Sequence, residues 1–398
     1  MPAQTAAIIM NKSPLTLAFG GLLAMAAAIG IGRFVYTPIL PPMVEALSLS
    51  KVEAGLIASA NFVGYLVGAL LAAWKLPGSR RTWLLGALAV NAIGLAAMGA
   101  TQSLALFLIL RLIAGIAGAF SLVFSSTLVL DHLARTGRSP LSAVHFAGVG
   151  TGIAVSAALV AILLANGAAW SALWYASAAL SLPAIAAVAA MVPPGEGAGE
   201  GAGASAAPAA TAKSRSGFVA LIVAYGLFGF GYIITATFIV AQVRGTTAIA
   251  PLEPYIWMLF GLAAAPSVAL WTWLAARWGI LKTFAVAAIV EAVGVAASAL
   301  WLSATGVIVA AIFVGGTFMG LTALGLIAAR ETGSGDPRGR IALMTASFSA
   351  GQILGPAFAG YIYDATGSLA MPSLAAAGAL IVAAVLAFVA DARRSQSS

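Results

Sequence analysis

The sequence has no cysteine, only two histidines (His132 and His145), and little charge: Asp, Glu, Lys and Arg make up 8% of its 398 residues. Without cysteine there is neither a disulfide framework nor a thiolate metal site, and two histidines are too few for a histidine-based metal centre. No cofactor or metal is expected. An ordinary soluble domain carries about 25% charged residues. Far below that, with 62% of its side chains hydrophobic, this chain could not give a soluble fold the polar surface it needs. Lipid has to be the solvent for most of it. Its 44 glycines include no strand–loop–helix phosphate cradle, which speaks against a nucleotide-driven pump. No acids, histidines or nucleophile gather at one end of the apolar segments as an enzyme would require, so an enzyme is not expected. A membrane sensor should carry a soluble output domain, and none is visible.

What is present is a series of apolar runs. A spanning helix needs roughly 20 mostly apolar residues, and twelve segments qualify: about 15–40, 54–74, 82–100, 104–130, 141–165, 169–191, 217–241, 255–276, 281–302, 306–329, 341–363 and 372–390. Turn signals follow several of them: Pro41-Pro42 after the first, Pro77-Gly78 after the second, Gly335-Asp336-Pro337 after the tenth. Ser50 and Glu53 form a capping box before the second. A cleaved leader over residues 12–32 is disfavoured, because the apolar stretch is too long and its loss would leave eleven spans. The net charge of +8 is distributed by topology, not gathered for nucleic acid. With the N-terminus inside, fifteen of the nineteen Lys and Arg residues fall on the cytoplasmic side, and only Lys51 and Arg244 fall outside. Both termini are therefore expected in the cytoplasm, with the chain multi-pass in a bacterial inner membrane.

Residues 193–216 are rich in Gly, Ala, Ser and Pro and read as a cytoplasmic linker. They divide the chain into bundles over 1–192 and 217–398, six spans each. Weak internal similarity supports a duplication. Gly30-Ile31-Gly32-Arg33 in span one matches Gly229-Phe230-Gly231-Tyr232 in span seven, and His145-Phe146-Ala147-Gly148 in span five matches Phe348-Ser349-Ala350-Gly351 in span eleven. The expected fold class is an all-α membrane protein of twelve transmembrane helices in two pseudo-symmetric six-helix bundles, an architecture of transporters.

Three segments resemble the major facilitator superfamily. They are Gly68 through Arg80-Arg81, which lacks the superfamily's loop aspartate; Leu274 to Gly279, with Ala276 where aspartate is common; and Gly355 to Gly367. Gly32-Arg33-Phe34-Val35-Tyr36-Thr37-Pro38, His145 to Gly150 and Gly315 to Gly320 resemble its YbfB/YjiJ branch. The resemblance implies a central cavity lined by spans one, four, seven and ten. The missing aspartates remove the basis for an Asp–Arg gate in those loops.

Ionisable groups at membrane depth each cost about 2.5–3.5 kcal/mol on insertion scales, so each needs a reason. Counting along their spans puts Arg33 and Arg111 both in the outer half. Two guanidinium forks there would draw a carboxylate or phosphate, although Arg111 equally fits a role in locking span four to a neighbour. Tyr36 shares a helix face with Arg33, Asn61 shares one with Tyr65, and Tyr225 and Tyr232 lie on span seven; all are candidate substrate contacts, aromatics with polar tips also being common packing residues. His145 is either an interhelical hydrogen bonder or a proton site. Glu291, the one carboxylate deep in a span, is either protonated or paired, and is a second candidate for proton coupling. The expected function is a monomeric secondary transporter, proton-coupled, taking up a small organic anion by alternating access. A drug or metabolite exporter is the first alternative, and a multispan sensor or lipid-modifying enzyme a remote one. Membrane lipids, protons and the small-molecule substrate are its expected partners.

Overall fold

The computed structural model describes residues 13–74, 76–193, 212–331 and 337–395. Twelve helices in it are long and apolar enough to cross a membrane. They are α1 (Pro14–Leu47), α2 (Lys51–Ala72), α3 (Arg80–Gly99), α4 (Leu104–Arg135), α5 (Ser139–Ala165), α6 (Trp170–Met191), α7 (Gly217–Arg244), α8 (Ala250–Trp278), α9 (Ile280–Leu300), α10 (Ala304–Glu331), α11 (Gly339–Thr366) and α12 (Ala370–Ala392). No strand occurs among the described residues. Large apolar side chains such as Ile93, Ile162, Leu182 and Leu354 point outward and are exposed. That surface makes sense only against hydrocarbon, since backbone polar groups are already satisfied within the helices.

Six helices precede and six follow the expected linker, of which 194–211 lies outside the described residues. The halves meet through α2 against α11 and α5 against α8, pairs that exchange when the halves are swapped, with α1 against α7 between them. Small residues set the approach. A Cβ on Gly261 of α8 would come within 2.5 Å of the Ala154 backbone nitrogen in α5, so the two backbones touch where larger residues would hold them apart.

The halves are pinned at one end. Hydrogen bonds between described residues of the two halves run from mid-depth to the end where α1 turns into α2. Ser59 Oγ donates to Ile353 O at 2.7 Å and Thr37 Oγ1 to Ala236 O at 2.7 Å. At the tip the Asp364 carboxylate accepts from the backbone N–H groups of Lys51 and Val52, both at 3.1 Å. It thereby caps the start of α2 from the opposite half, alongside the expected Ser50–Glu53 capping box. Arg244 bridges Glu45 of α1 at 2.6 Å and Glu253 of α8 at 3.1 Å. A pocket of about 320 Å³ opens beside this bridge, lined by Glu45, Lys51 and Arg244.

One expectation about punctuation needs correction. Pro41-Pro42 does not end the first span: both prolines lie inside a helix that runs to Leu47, and the chain turns at Ser48, which is left-handed (φ 53°). The interruption lies upstream instead. α1 is helical from Pro14–Met25, widens into a π-turn over Ala26–Ile31, and resumes at Tyr36. Pro38 explains why: it has no N–H to give Phe34 O, and its ring crowds that carbonyl. Pro77-Gly78 does form a turn, with Gly78 at φ 87°. Gly335-Asp336 lies outside the described residues, and Pro337 opens the helix that becomes α11.

Candidate functional site

The break in α1 builds the site. In the π-turn Gly32 N donates to Ala27 O at 2.9 Å and Phe34 N to Ile29 O at 3.2 Å, one residue farther back than in an α-helix. Carbonyls left without a helical partner must find one elsewhere, since the bilayer offers no water. Ala28 O accepts from Asn91 Nδ2 of α3 at 3.2 Å. Gly32 O and Arg33 O accept from the two terminal nitrogens of Arg111 on α4, each at 3.2 Å. Phe34 O, which Pro38 cannot serve, accepts from Thr37 N at 3.2 Å and from Trp257 Nε1 of α8 at 3.1 Å, the latter across the interface between halves. Three neighbouring helices thus hold the widened turn, and π-turns inside α-helices are frequent at functional sites.

That turn presents Arg33 at the junction of the halves. Its guanidinium lies 4.1 Å from the Tyr65 ring centroid, 5.2 Å from Phe62 and 5.9 Å from Phe34. It is 7% exposed, forms no ion pair with a described carboxylate, and Nη2 is buried without a hydrogen-bond partner. Aromatic faces stabilise a desolvated cation by roughly 2 kcal/mol, less than a buried charge needs. An unspent, geometrically exacting donor is left at the centre of the molecule.

The other half faces it with aromatic rings and an amide. Phe34, next to Arg33 in sequence, meets Phe318 of α10 edge-on at 5.8 Å between centroids, and Phe318 stacks on Tyr232. The Tyr232 ring runs nearly parallel to Phe348 (6.0 Å between centroids, 5°) and to Phe318 (5.5 Å, 14°). Its hydroxyl accepts from Gln352 Nε2, while Gln352 Oε1 is buried with no partner. Arg33 and Tyr232, which occupy matching positions in the two sequence repeats, therefore meet at one interface. Gln352, Phe318, Phe348 and Trp257 were not singled out as site residues from sequence. Gln352 carried a legible signal, being a glutamine in the middle of a span; the phenylalanines carried none, since composition alone cannot separate them from packing.

The remaining candidates are placed as follows. Arg111 is buried, with two nitrogens on α1 carbonyls and its guanidinium 5.1 Å from the Tyr36 ring. Tyr36 donates its hydroxyl to Ala54 O at 2.8 Å and packs on Trp174. Asn61 Nδ2 donates to Arg111 O at 3.0 Å. Tyr225 donates to Thr322 O at 2.9 Å and stacks on Phe348. His145 is fully buried between α5, α4 and α1, its Nε2 3.4 Å from Ser126 Oγ and its ring against Gly21. Glu291 of α9 is fully buried, with Oε1 3.1 Å from Thr317 Oγ1 on α10 and Oε2 unpartnered. Arg33, Tyr232 and Gln352 thus gather at the interface. Arg111, Tyr36 and Asn61 form a hydrogen-bonded frame behind Arg33, and His145 stands apart within the first half. Among the described residues no three His, Asp or Glu side chains gather as a metal ion would need.

Comparison with known proteins gives the arrangement a context. A family described as "Uncharacterised MFS-type transporter YbfB" matches residues 25–388. No curated protein sequence matches the chain. Among solved structures, a variant of the nucleoside transporter NupG superposes with a TM-score of 0.74 at 16% identity, covering 95% of this chain and 99% of that one. A bacterial homologue of the human lysosomal transporter Spinster, inward-facing and occupied, gives 0.68 at 15% identity, covering 95% and 96%. At such identities the likeness establishes a shared fold, the major facilitator fold expected from the sequence.

Proposed function

The chain belongs to the YbfB family of major facilitator superfamily transporters, and from that premise we propose that it takes up a small organic anion through the inner membrane by alternating access, coupled to protons. The observation that carries this reading is Arg33. A guanidinium buried at the interface of the halves, held on aromatic faces and lacking a carboxylate, is a vacant partner for a carboxylate, the planar fork matching it in bidentate fashion. Arg111 is committed to the α1 backbone and serves to present Arg33. Gln352 Oε1 supplies an acceptor for a hydroxyl or amide on the same substrate, and the parallel rings of Tyr232, Phe318 and Phe348 suit a flat organic body.

The distribution of Lys and Arg puts the termini in the cytoplasm. On that topology the pinned end, with Asp364 on α2 and Arg244 on Glu45, faces the periplasm, and substrate leaves from the opposite end. The domain division proposed for 193–216 lets the halves rock about their interface as rigid units. Benzoate, a flat monocarboxylate, is a suitable first probe in a thermal-shift assay of the purified protein, since a ligand that binds the folded state raises its apparent stability. Benzoate should stabilise the wild type and leave Arg33→Ala unmoved. Equal stabilisation of both proteins, or a response only to organic cations, sinks the anion reading.

A further inference from the structure

We infer that Glu291 is the proton-binding site of the transport cycle, loaded with its proton in the conformation described here. The inference rests on the anion reading of Arg33 and extends it to the coupling ion.

Local geometry comes first. Thr317 Oγ1 has one proton to donate and three acceptors near it: Phe313 O at 2.5 Å, Glu291 Oε1 at 3.1 Å and Val314 O at 3.2 Å. The helical carbonyl four residues back is the nearest and takes that proton, as threonines inside helices commonly arrange. The contact between Thr317 and Glu291 is then a hydrogen bond only if the carboxyl itself is the donor. An ionised Glu291 would instead present two oxygens, one facing a hydroxyl already spent and one with no partner at all. Leaving a buried charge in that state is far costlier than keeping the acid neutral.

Among the described residues no cation stands ready to offset it: Lys282, on α9 itself, is in the first turn of that helix. The helices packed on α9 are α7, α8, α10 and α12. Their charged residues, Arg244, Glu253, Arg277, Arg330, Glu331 and Asp391, all stand in or beside terminal turns. The titratable hydroxyls on those helices are Tyr225, Tyr232 and Tyr255; Tyr225 donates to Thr322 O, and Tyr232 accepts from Gln352.

Charge conservation then selects a cycle. Away from the ends of the spans the buried ionisable groups are Arg33, Arg111, Glu291 and His145 among the described residues, the last counted as neutral imidazole. With anion bound and Glu291 protonated, two arginines and one substrate carboxylate leave a net buried charge of +1. With the carrier empty and Glu291 ionised, two arginines and one glutamate again leave +1. The two forms that must reorient carry the same buried charge. An empty carrier that kept the proton would carry +2 and reorient against a larger desolvation penalty. The structure thus pairs one proton with one monoanion. The step is a proton transfer between the Glu291 carboxyl and water, and no other bond is made or broken.

Infrared difference spectroscopy of the lipid-reconstituted protein, without substrate, tests the site directly. Wild type at neutral pH should show a protonated-carboxyl band that Glu291→Gln lacks and Thr317→Val shifts. Raising the pH should convert it to carboxylate bands while the protein stays folded. A spectrum without a Glu291-dependent band, or a band that persists until unfolding, overturns the assignment. In proteoliposomes, Glu291→Gln should keep benzoate counterflow within about twofold of wild type and lose at least tenfold in accumulation driven by a pH gradient. Retention of both, or loss of both with benzoate binding intact, equally overturns it. If benzoate neither binds nor moves in wild type, the anion reading fails, and the infrared result still decides whether Glu291 holds a proton.

Discussion

The two faces that meet at the centre of this protein are built from matching repeat positions yet carry different chemistry. On the first half the position is Arg33, raised on a widened turn and braced by Arg111 and Asn91 through backbone carbonyls. On the second it is Tyr232, in an uninterrupted helix, backed by Gln352 and a run of parallel rings. The contrast recurs at the other matched site. His145 on α5 is tucked away from the interface behind α1, whereas Phe348 on α11 stacks directly on Tyr232. The two halves offer equivalent frames, and differences at a few positions make the first the holder of Arg33 and Arg111 and the second the holder of Glu291 and the aromatic surface.

The difference between the two arginines offers the largest test. Arg111→Ala leaves Gly32 O and Arg33 O buried without donors, at about 1–3 kcal/mol each. It should lower stability by several kcal/mol, seen as a pronounced drop in melting temperature. Arg33→Ala breaks no hydrogen bond and removes an uncompensated buried charge, so its melting temperature without ligand should stay near wild type. Comparable destabilisation by both would erase the distinction between brace and site. Next comes the bond that crosses between halves at the break. Trp257→Phe keeps the ring and loses one of the two donors to Phe34 O, at about 0.5–1.5 kcal/mol for the lost hydrogen bond. It should favour opening at the pinned end. Because the chain has no cysteine, a single Thr246→Cys in the pocket there reports opening by its rate of maleimide labelling, which Trp257→Phe should raise.

The smallest effects are expected at the tip. Asp364→Asn weakens the cap on α2 by about 1 kcal/mol. Arg244→Ala removes two bridges, to Glu45 (59% exposed) and to Glu253 (17% exposed), of which the exposed one contributes about 0–1 kcal/mol. Each should raise Thr246→Cys labelling a few-fold, and added salt should mimic Arg244→Ala more than Asp364→Asn, screening acting most on exposed pairs. If neither change moves the labelling rate, the tip contacts are incidental to closure.

Much of this was legible before folding. Twelve apolar runs with a polar division between the sixth and seventh announce the architecture, because membrane spans are specified by local composition alone. Helix counting brought Arg33 and Arg111 to one depth, and the structure has them one hydrogen bond apart. What stayed hidden depends on relations between helices. Pro41-Pro42 looked like a turn, but the break came at Phe34, where Pro38, Asn91, Arg111 and Trp257 act together. Tyr65 was visible as a companion of Asn61, not as the ring beneath Arg33. Glu291 was visible as an anomaly, while its Thr317 partner, one threonine among many, was not.

The Trp257 indole on Phe34 O has a consequence for affinity. It is the one brace of the widened turn supplied by the opposite half, so it parts when the pinned end opens, whereas Asn91 and Arg111 travel with α1. Opening therefore frees one acceptor position on a carbonyl next to Arg33, which keeps only its bond from Thr37 N, and withdraws an indole donor. The site open at the pinned end therefore differs from the site open at the opposite end, and a ligand bearing both an anionic group and a hydrogen-bond donor would sense the difference. That differential is what a ligand needs in order to bias the equilibrium between the two states.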